Sequence, residues 1–213
     1  LINLPLIVYW MIVADFRISA MKRDKLFDLW EGRDPEFEVQ YEEPIIKSLC
    51  DYGKGTSQYQ ESRAKVLGAG YEAYIMAFFI GLYFDKSIPL EGETKKFGWA
   101  IRNWGNVDAR KGRRNYHEIT KFMFVALVAR ADIDFIALDK GEITVRKAVD
   151  ILIQKMEEYA NYGFYYMLKE KLEINPNYFY RNSAFLDIFT SLIKEEPNSF
   201  VDYDDDDEPE SLD

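Results

Sequence analysis

The 213-residue chain contains one cysteine, Cys50, and one histidine, His117. A lone cysteine excludes an internal disulfide framework and any metal site clamped by several thiolates. A lone histidine excludes histidine-rich metal centres and leaves little room for a Ser-His-Asp machine. No apolar run reaches the ~20 residues that a bilayer-spanning helix needs; the nearest approach is LINLPLIVYWMIVA at residues 1–14. No 20–50-residue repeat is visible, and no segment alternates with period two between turn signals. A solenoid and a β-rich fold are therefore not expected. What the chain does have is apolar mass. It is 48% hydrophobic and 16% aromatic, enough to bury a core and to exclude a wholly disordered polypeptide.

Charge divides the chain in two. There are 27 basic and 37 acidic residues, net −10. Ten of the acids follow Lys194 and no base does, so residues 1–194 carry 27 of each sign and are neutral. Eight of those ten lie between Asp202 and Asp213. Residues 195–213 have too little apolar surface to fold and read as a disordered acidic tail. At the other end, residues 1–20 lack a basic n-region, and Ile18-Ser19-Ala20 is a poor cleavage site. Met21 then opens MKRDKLFDLWEG, which has the character of a cytosolic start. Residues 1–20 accordingly read as upstream translation or a leader, residues 21–194 as one helical domain, and the compartment as cytoplasmic.

The body follows helical periodicity. Residues 58–84 place Val66, Leu67, Ala69, Gly70, Ala73, Tyr74, Ala77, Phe78, Ile80 and Gly81 at i, i+3, i+4 spacing, almost apolar all round from residue 73. This is the expected central helix, with Gly68, Gly70 and Gly81 small enough to admit a neighbour, and it should end at Ser87-Ile88-Pro89. Residues 117–138 form the next candidate. Thr144 caps a long one with an apolar stripe through Val145, Ala148, Val149, Leu152, Met156, Tyr159 and Ala160. Gly163 is expected to bend or break it. Asn175-Pro176-Asn177 is a turn, and residues 183–194 form a last amphipathic helix. The expected class is mainly α: an irregular single-domain bundle of five to seven helices.

Most catalytic or cofactor patterns dissolve on inspection. Gly68-Ala69-Gly70-Tyr71-Glu72-Ala73 matches GxGxxA, yet the pattern binds pyrophosphate only between a strand and a helix, and Ser62 to Leu67 reads as helix already. Gly53-Lys54-Gly55-Thr56 lacks the spaced upstream glycine of a P-loop. Asp132, Asp134 and Asp139 lack EF-hand spacing and read as a solvated helix end. Glu157 and Glu158 point about 100° apart on a helix, so they are not a facing catalytic pair and read, with Glu170, as exposed charge. His117 reads as a cap or surface residue. No catalytic residue, metal or cofactor is expected from these patterns.

Residues 95–114, KKFGWAIRNWGNVDARKGRR, stand apart. Lys95, Lys96, Arg102, Arg110, Lys111, Arg113 and Arg114 face a single acid, Asp108, which gives a net +6 within a neutral body. Trp99 and Trp104 are interleaved, with Tyr116 and His117 just beyond. Cations neutralise phosphates and exposed aromatic faces stack on bases, so segment 95–117 is a candidate site for DNA or another polyanion. The competing reading is a solvated basic loop whose tryptophans anchor the core. The tail is positioned by tethering to compete for the same segment, with an effective concentration near millimolar.

Two resemblances accompany these residues. AFFIGLYFDKSIPL at residues 77–90, followed by FMFVALVAR at 122–130, resembles the DndE family of DNA sulfur-modification systems. That resemblance implies an oligomer binding nicked duplex DNA through basic residues. More broadly, FGWAIRNWGN, the run from RKGRRNYHEITKF to EEYANYGF, and NPNYFYRNSAFLDIF are similar to a Bacteroidota family of helical proteins carrying a glycoside hydrolase family 15 label. The label implies a helical toroid with paired catalytic glutamates, whereas a barrel of twelve helices needs more than the roughly 170 residues of the body. The expected function is a non-catalytic nucleic-acid-binding or accessory protein, acting through residues 95–117. The alternative is a protein-interaction scaffold working through helical faces or the tail.

Overall fold

The computed structural model describes residues 23–50, 67, 69–105 and 116–194. Six α-helices lie among them: α1 (Arg23–Glu31), α2 (Gly70–Phe84), α3 (His117–Arg130), α4 (Phe135–Lys140), α5 (Val145–Tyr165) and α6 (Ala184–Lys194). Two three-residue strands, β1 (Glu36–Glu38) and β2 (Thr94–Lys96), pair antiparallel. The chain is mainly helical, as its periodicity requires. No helix among the described residues is long and apolar enough to cross a membrane. The expectations for residues 1–20 and for the acidic tail fall outside the described residues.

Helices α2 and α5 form the centre. From α2, Ala73, Tyr74, Ala77, Phe78, Ile80 and Gly81 are buried; from α5, Ala148, Val149, Leu152, Met156, Tyr159, Ala160 and Phe164. Each large side chain among them contributes roughly 1.5–3 kcal/mol by leaving water. The two helices meet backbone to backbone. A Cβ placed on Gly81 would lie 2.1 Å from the carbonyl oxygen of Tyr159, and one on Gly163 would lie 1.9 Å from that of Ala77. As α2 advances four residues, from 77 to 81, α5 retreats four, from 163 to 159: two successive turns of an antiparallel crossing. Gly163 therefore does not break α5. The helix runs through it to Tyr165 and continues as a π-helical turn, Tyr166–Leu172.

Helix ends follow local chemistry. Thr144 Oγ1 accepts from the Lys147 N–H at 3.2 Å and opens α5 as expected. Asp134 Oδ1 accepts from the N–H groups of Ile136 and Ala137, both at 2.9 Å, and opens α4. Residues 117–138 are thus two helices, divided where Ala131 turns extended. Helix α2 also starts later than its apolar periodicity suggests. Leu67 lies in an isolated parallel bridge to Cys50, its N–H donating to the Leu49 carbonyl at 3.0 Å, and Ala69 is extended. The helix stops before its proline, at Asp85, whose φ of 51° puts it in the left-handed region.

The α2–α5 crossing predicts that alanine at either glycine is costly. Gly81→Ala and Gly163→Ala should each destabilise the protein at or above the top of the roughly 1–3 kcal/mol range for overpacking. Denaturant titration measures it. A loss under about 0.5 kcal/mol, typical of an unconstrained surface site, would show that the helices separate freely.

Candidate nucleic-acid interface

The expected basic segment begins on β2 and is built over acidic neighbours. Its strand register sets Glu36 opposite Lys96, Phe37 opposite Lys95 and Glu38 opposite Thr94. Lys95 Nζ donates to Glu42 Oε1 at 2.8 Å, a bond that leads the causes holding the Glu42 carboxyl below its ordinary range. Lys95 is thereby committed within the protein. Lys96 and Arg102 remain exposed. The Arg102 guanidinium lies against Gly32 and donates to the Asp28 carbonyl at 3.3 Å; a Cβ on Gly32 would meet its Nη2 at 2.2 Å.

The two tryptophans separate. Trp104 is only 2% exposed, so it is a core residue and offers no face to a base. It stacks on Tyr71 at 6.4 Å and packs on Tyr74 at 5.5 Å. Its indole N–H donates to the Trp99 carbonyl at 3.1 Å. Trp99 is 55% exposed, the largest aromatic surface the segment offers to solvent. Its backbone is fixed on both sides. The Asp34 carboxylate accepts from the N–H groups of Gly98, at 2.9 Å, and Trp99, at 3.1 Å. Gly98 has φ of 90°, a conformation that glycine adopts without strain. Phe97 anchors the preceding residue against Phe37, Tyr74 and Trp104, and its N–H donates to the Pro35 carbonyl at 2.8 Å. The Trp99 indole is therefore exposed on a fixed stretch of backbone, with Lys96 and Arg102 three residues to either side in sequence. Arg110, Lys111, Arg113 and Arg114 lie outside the described residues. Just past them, Tyr116 donates to Glu72 Oε1 at 2.7 Å, and the exposed His117 opens α3 with its ring edge toward Phe27.

Beneath β1 lies a polar layer that the sequence did not announce. Glu38 is 5% exposed. Burial would raise its carboxyl, but the N–H groups of Glu91 (2.9 Å) and Gly92 (3.2 Å), with Gln40 and Asn161, outweigh burial and hold it below the usual range. Asn161, on α5, also donates to the carbonyl of Pro89 at 3.0 Å. One turn earlier on α5, Glu157 Oε1 accepts from the Glu36 N–H at 2.8 Å. Burial is the main cause pushing the Glu157 carboxyl up to about 7, aided by the charges of Glu36 and Glu158 and opposed by that N–H and by Arg33. Glu157 and Glu158 are thus half-buried rather than exposed, and Glu158 pairs with Lys155 at 3.4 Å. Tyr74, fully enclosed, donates to the Glu36 carbonyl at 3.1 Å. These groups dock the two strands on α5 and so fix the height of Trp99. Cys50 is buried, its thiol pushed up to about 12 by burial, and is unsuited to nucleophilic chemistry. Among the described residues, no cluster of His, Cys, Asp or Glu could hold a metal ion. No protein family, curated protein or solved structure matches the chain.

Glu157 gives a pH prediction. Its folded pKa is raised from 4.5 to about 7, so its favourable contribution is complete below about pH 4.5 and is lost as pH rises through 7. A glutamine side chain mimics the protonated form. Glu157→Gln should match the parent at pH 4.5 and exceed it at pH 8 by on the order of 1–2 kcal/mol, a figure discounted for partial exposure. Denaturation series at both pH values check the sign; equal stability at pH 8 would contradict it.

Proposed function

We propose that this protein is a non-catalytic, nucleic-acid-binding accessory factor that stacks an unpaired base on Trp99. The observation that carries the reading is Trp99: its side chain is 55% exposed, while its backbone is held through the Gly98 and Trp99 N–H groups, which donate to Asp34. A held backbone spares that part of the ordering cost on binding, and base–aromatic stacking contributes about 1–3 kcal/mol per base. Lys96 and Arg102 flank it in sequence, and Arg110, Lys111, Arg113 and Arg114 follow in the chain to meet phosphates. Lys95 belongs to the support through Glu42, and Trp104 belongs to the core.

A stacking plate needs an unstacked base. The preferred ligand is accordingly single-stranded DNA, or duplex DNA opened at a nick, over intact duplex. A role beside a DNA modification or defence system fits that preference, and the DndE resemblance points the same way.

The test is binding of the full chain to single-stranded, nicked and intact DNA at low and physiological salt. Trp99→Ala should weaken single-strand binding about 5- to 100-fold while leaving the salt slope in place. Reversing Arg110, Arg113 and Arg114 to glutamate should flatten that slope. Undiminished affinity in the Trp99 variant would remove this reading.

A further inference from the structure

A second group of aromatic and cationic side chains lies at the C-terminal end of α5, distant from Trp99 in sequence. The last turn of α5 and the π-helical turn after it bring the buried Tyr162 and the half-buried Tyr166 beside Phe84 of α2, with the exposed Tyr165 packed on Tyr162. Phe84 is 5.9 Å from Tyr162 and 4.7 Å from Tyr166. Lys86 Nζ sits 5.6 Å over the Tyr162 ring. Lys171 Nζ lies between two rings, 5.0 Å from Tyr166 and 5.2 Å from Tyr178. Neighbouring cations are committed to carboxylates: Lys169 to Glu173, Arg181 to Asp187 and Arg130 to Asp85. Lys86 and Lys171 make no ion pair among the described residues. A cation resting on a ring face keeps N–H donors directed outward, where an anion can complete them.

We infer that this surface holds the chain's own acidic C-terminal segment, residues 202–213. Charge complementarity is the first argument: the segment has eight acids and no base, and Phe200 and Tyr203 flank its first acid with rings suited to a tyrosine surface. Reach is the second. Helix α6 begins just after Arg181 and packs Phe189 edge-to-face on Tyr83, three residues before Lys86, at 5.5 Å. Lys194 is then about 7.5 Å further along the helix axis. Eight more residues lead to Asp202, a span of up to about 27 Å when extended. The acids therefore reach Lys86 and Lys171 without strain, at an effective concentration near millimolar. The acids already there are Asp85, Glu173 and Asp187, each paired with a cation, and the exposed Glu170, whose charge is felt at Tyr162.

The test uses the full chain with Ser211→Cys carrying a nitroxide label; the buried, high-pKa Cys50 stays unlabelled. Amide resonances of Lys86, Tyr165 and Lys171 should broaden at about 50 mM salt and recover at about 500 mM, where the Debye length shrinks to a few ångströms. Lys86→Glu with Lys171→Glu should abolish the broadening. So should Asp204→Asn, Asp205→Asn, Asp206→Asn and Asp207→Asn together, a variant that leaves the helical body untouched. Broadening that is absent, that centres on residues 95–102, or that survives in the asparagine variant would overturn the inference. DNA binding plays no part in this readout, so it stands or falls separately from the role of Trp99.

Discussion

The structure depends on the contact in which α2 and α5 lose all side-chain spacing. Ala77 faces Gly163 and Tyr159 faces Gly81, with no room for a Cβ on either glycine. A helix pair this close lets carbonyl oxygens of one helix touch the glycine backbone of the other, and packing of that density is felt across the whole core. Everything that shapes the candidate site is referred to α5. Glu157 holds the start of β1, Asn161 holds Glu38 and the Pro89 carbonyl, and Arg33 reaches Asp150 at 2.7 Å. Moving α5 outward by one methyl group would move the platform under Trp99 with it.

The parts legible in the sequence were those whose signal is local. The apolar run from residue 73, the Thr144 cap, the stripe of α5 and the amphipathic final helix all declare themselves within a dozen residues. Gly81 declares itself a close-approach glycine because its sequence neighbours are apolar on every side. Gly163 has the same role but sits among aromatic residues near a helix end, where breaking the helix is an equally reasonable local reading. Only the partner helix distinguishes the two. The start of α2 escapes the sequence for a related reason: apolar spacing cannot reveal that Leu67 pairs with Cys50, because that bridge belongs to another segment.

The site was legible in part. The +6 run is plain in the sequence, yet charge counting cannot show that β1, with Glu36 and Glu38, and Glu42 lie alongside its first residues. Three-residue strands show no measurable alternation, so the pairing that commits Lys95 was invisible. Trp99 and Trp104 looked alike as letters. Their fates follow from Ile101 and Trp104, three residues apart on a single 3-10 turn and both turned inward, while Trp99 precedes that turn. The polar layer beneath β1 had no sequence signal at all, since its members come from residues 36–38, 88–92 and 157–161.

Glu38 has one further consequence, for the order in which the chain folds. Apart from Gln40, its partners lie 53, 54 and 123 residues away, at Glu91, Gly92 and Asn161. A carboxylate stripped of water with any of them missing is unfavourable, because desolvation precedes compensation. A half-assembled core therefore gains little from closing over Glu38, and loop closure across so much chain is slow. The buried acid makes the final packing of β1 on α5 all-or-none: near-native arrangements are rejected until the last distant segment has arrived.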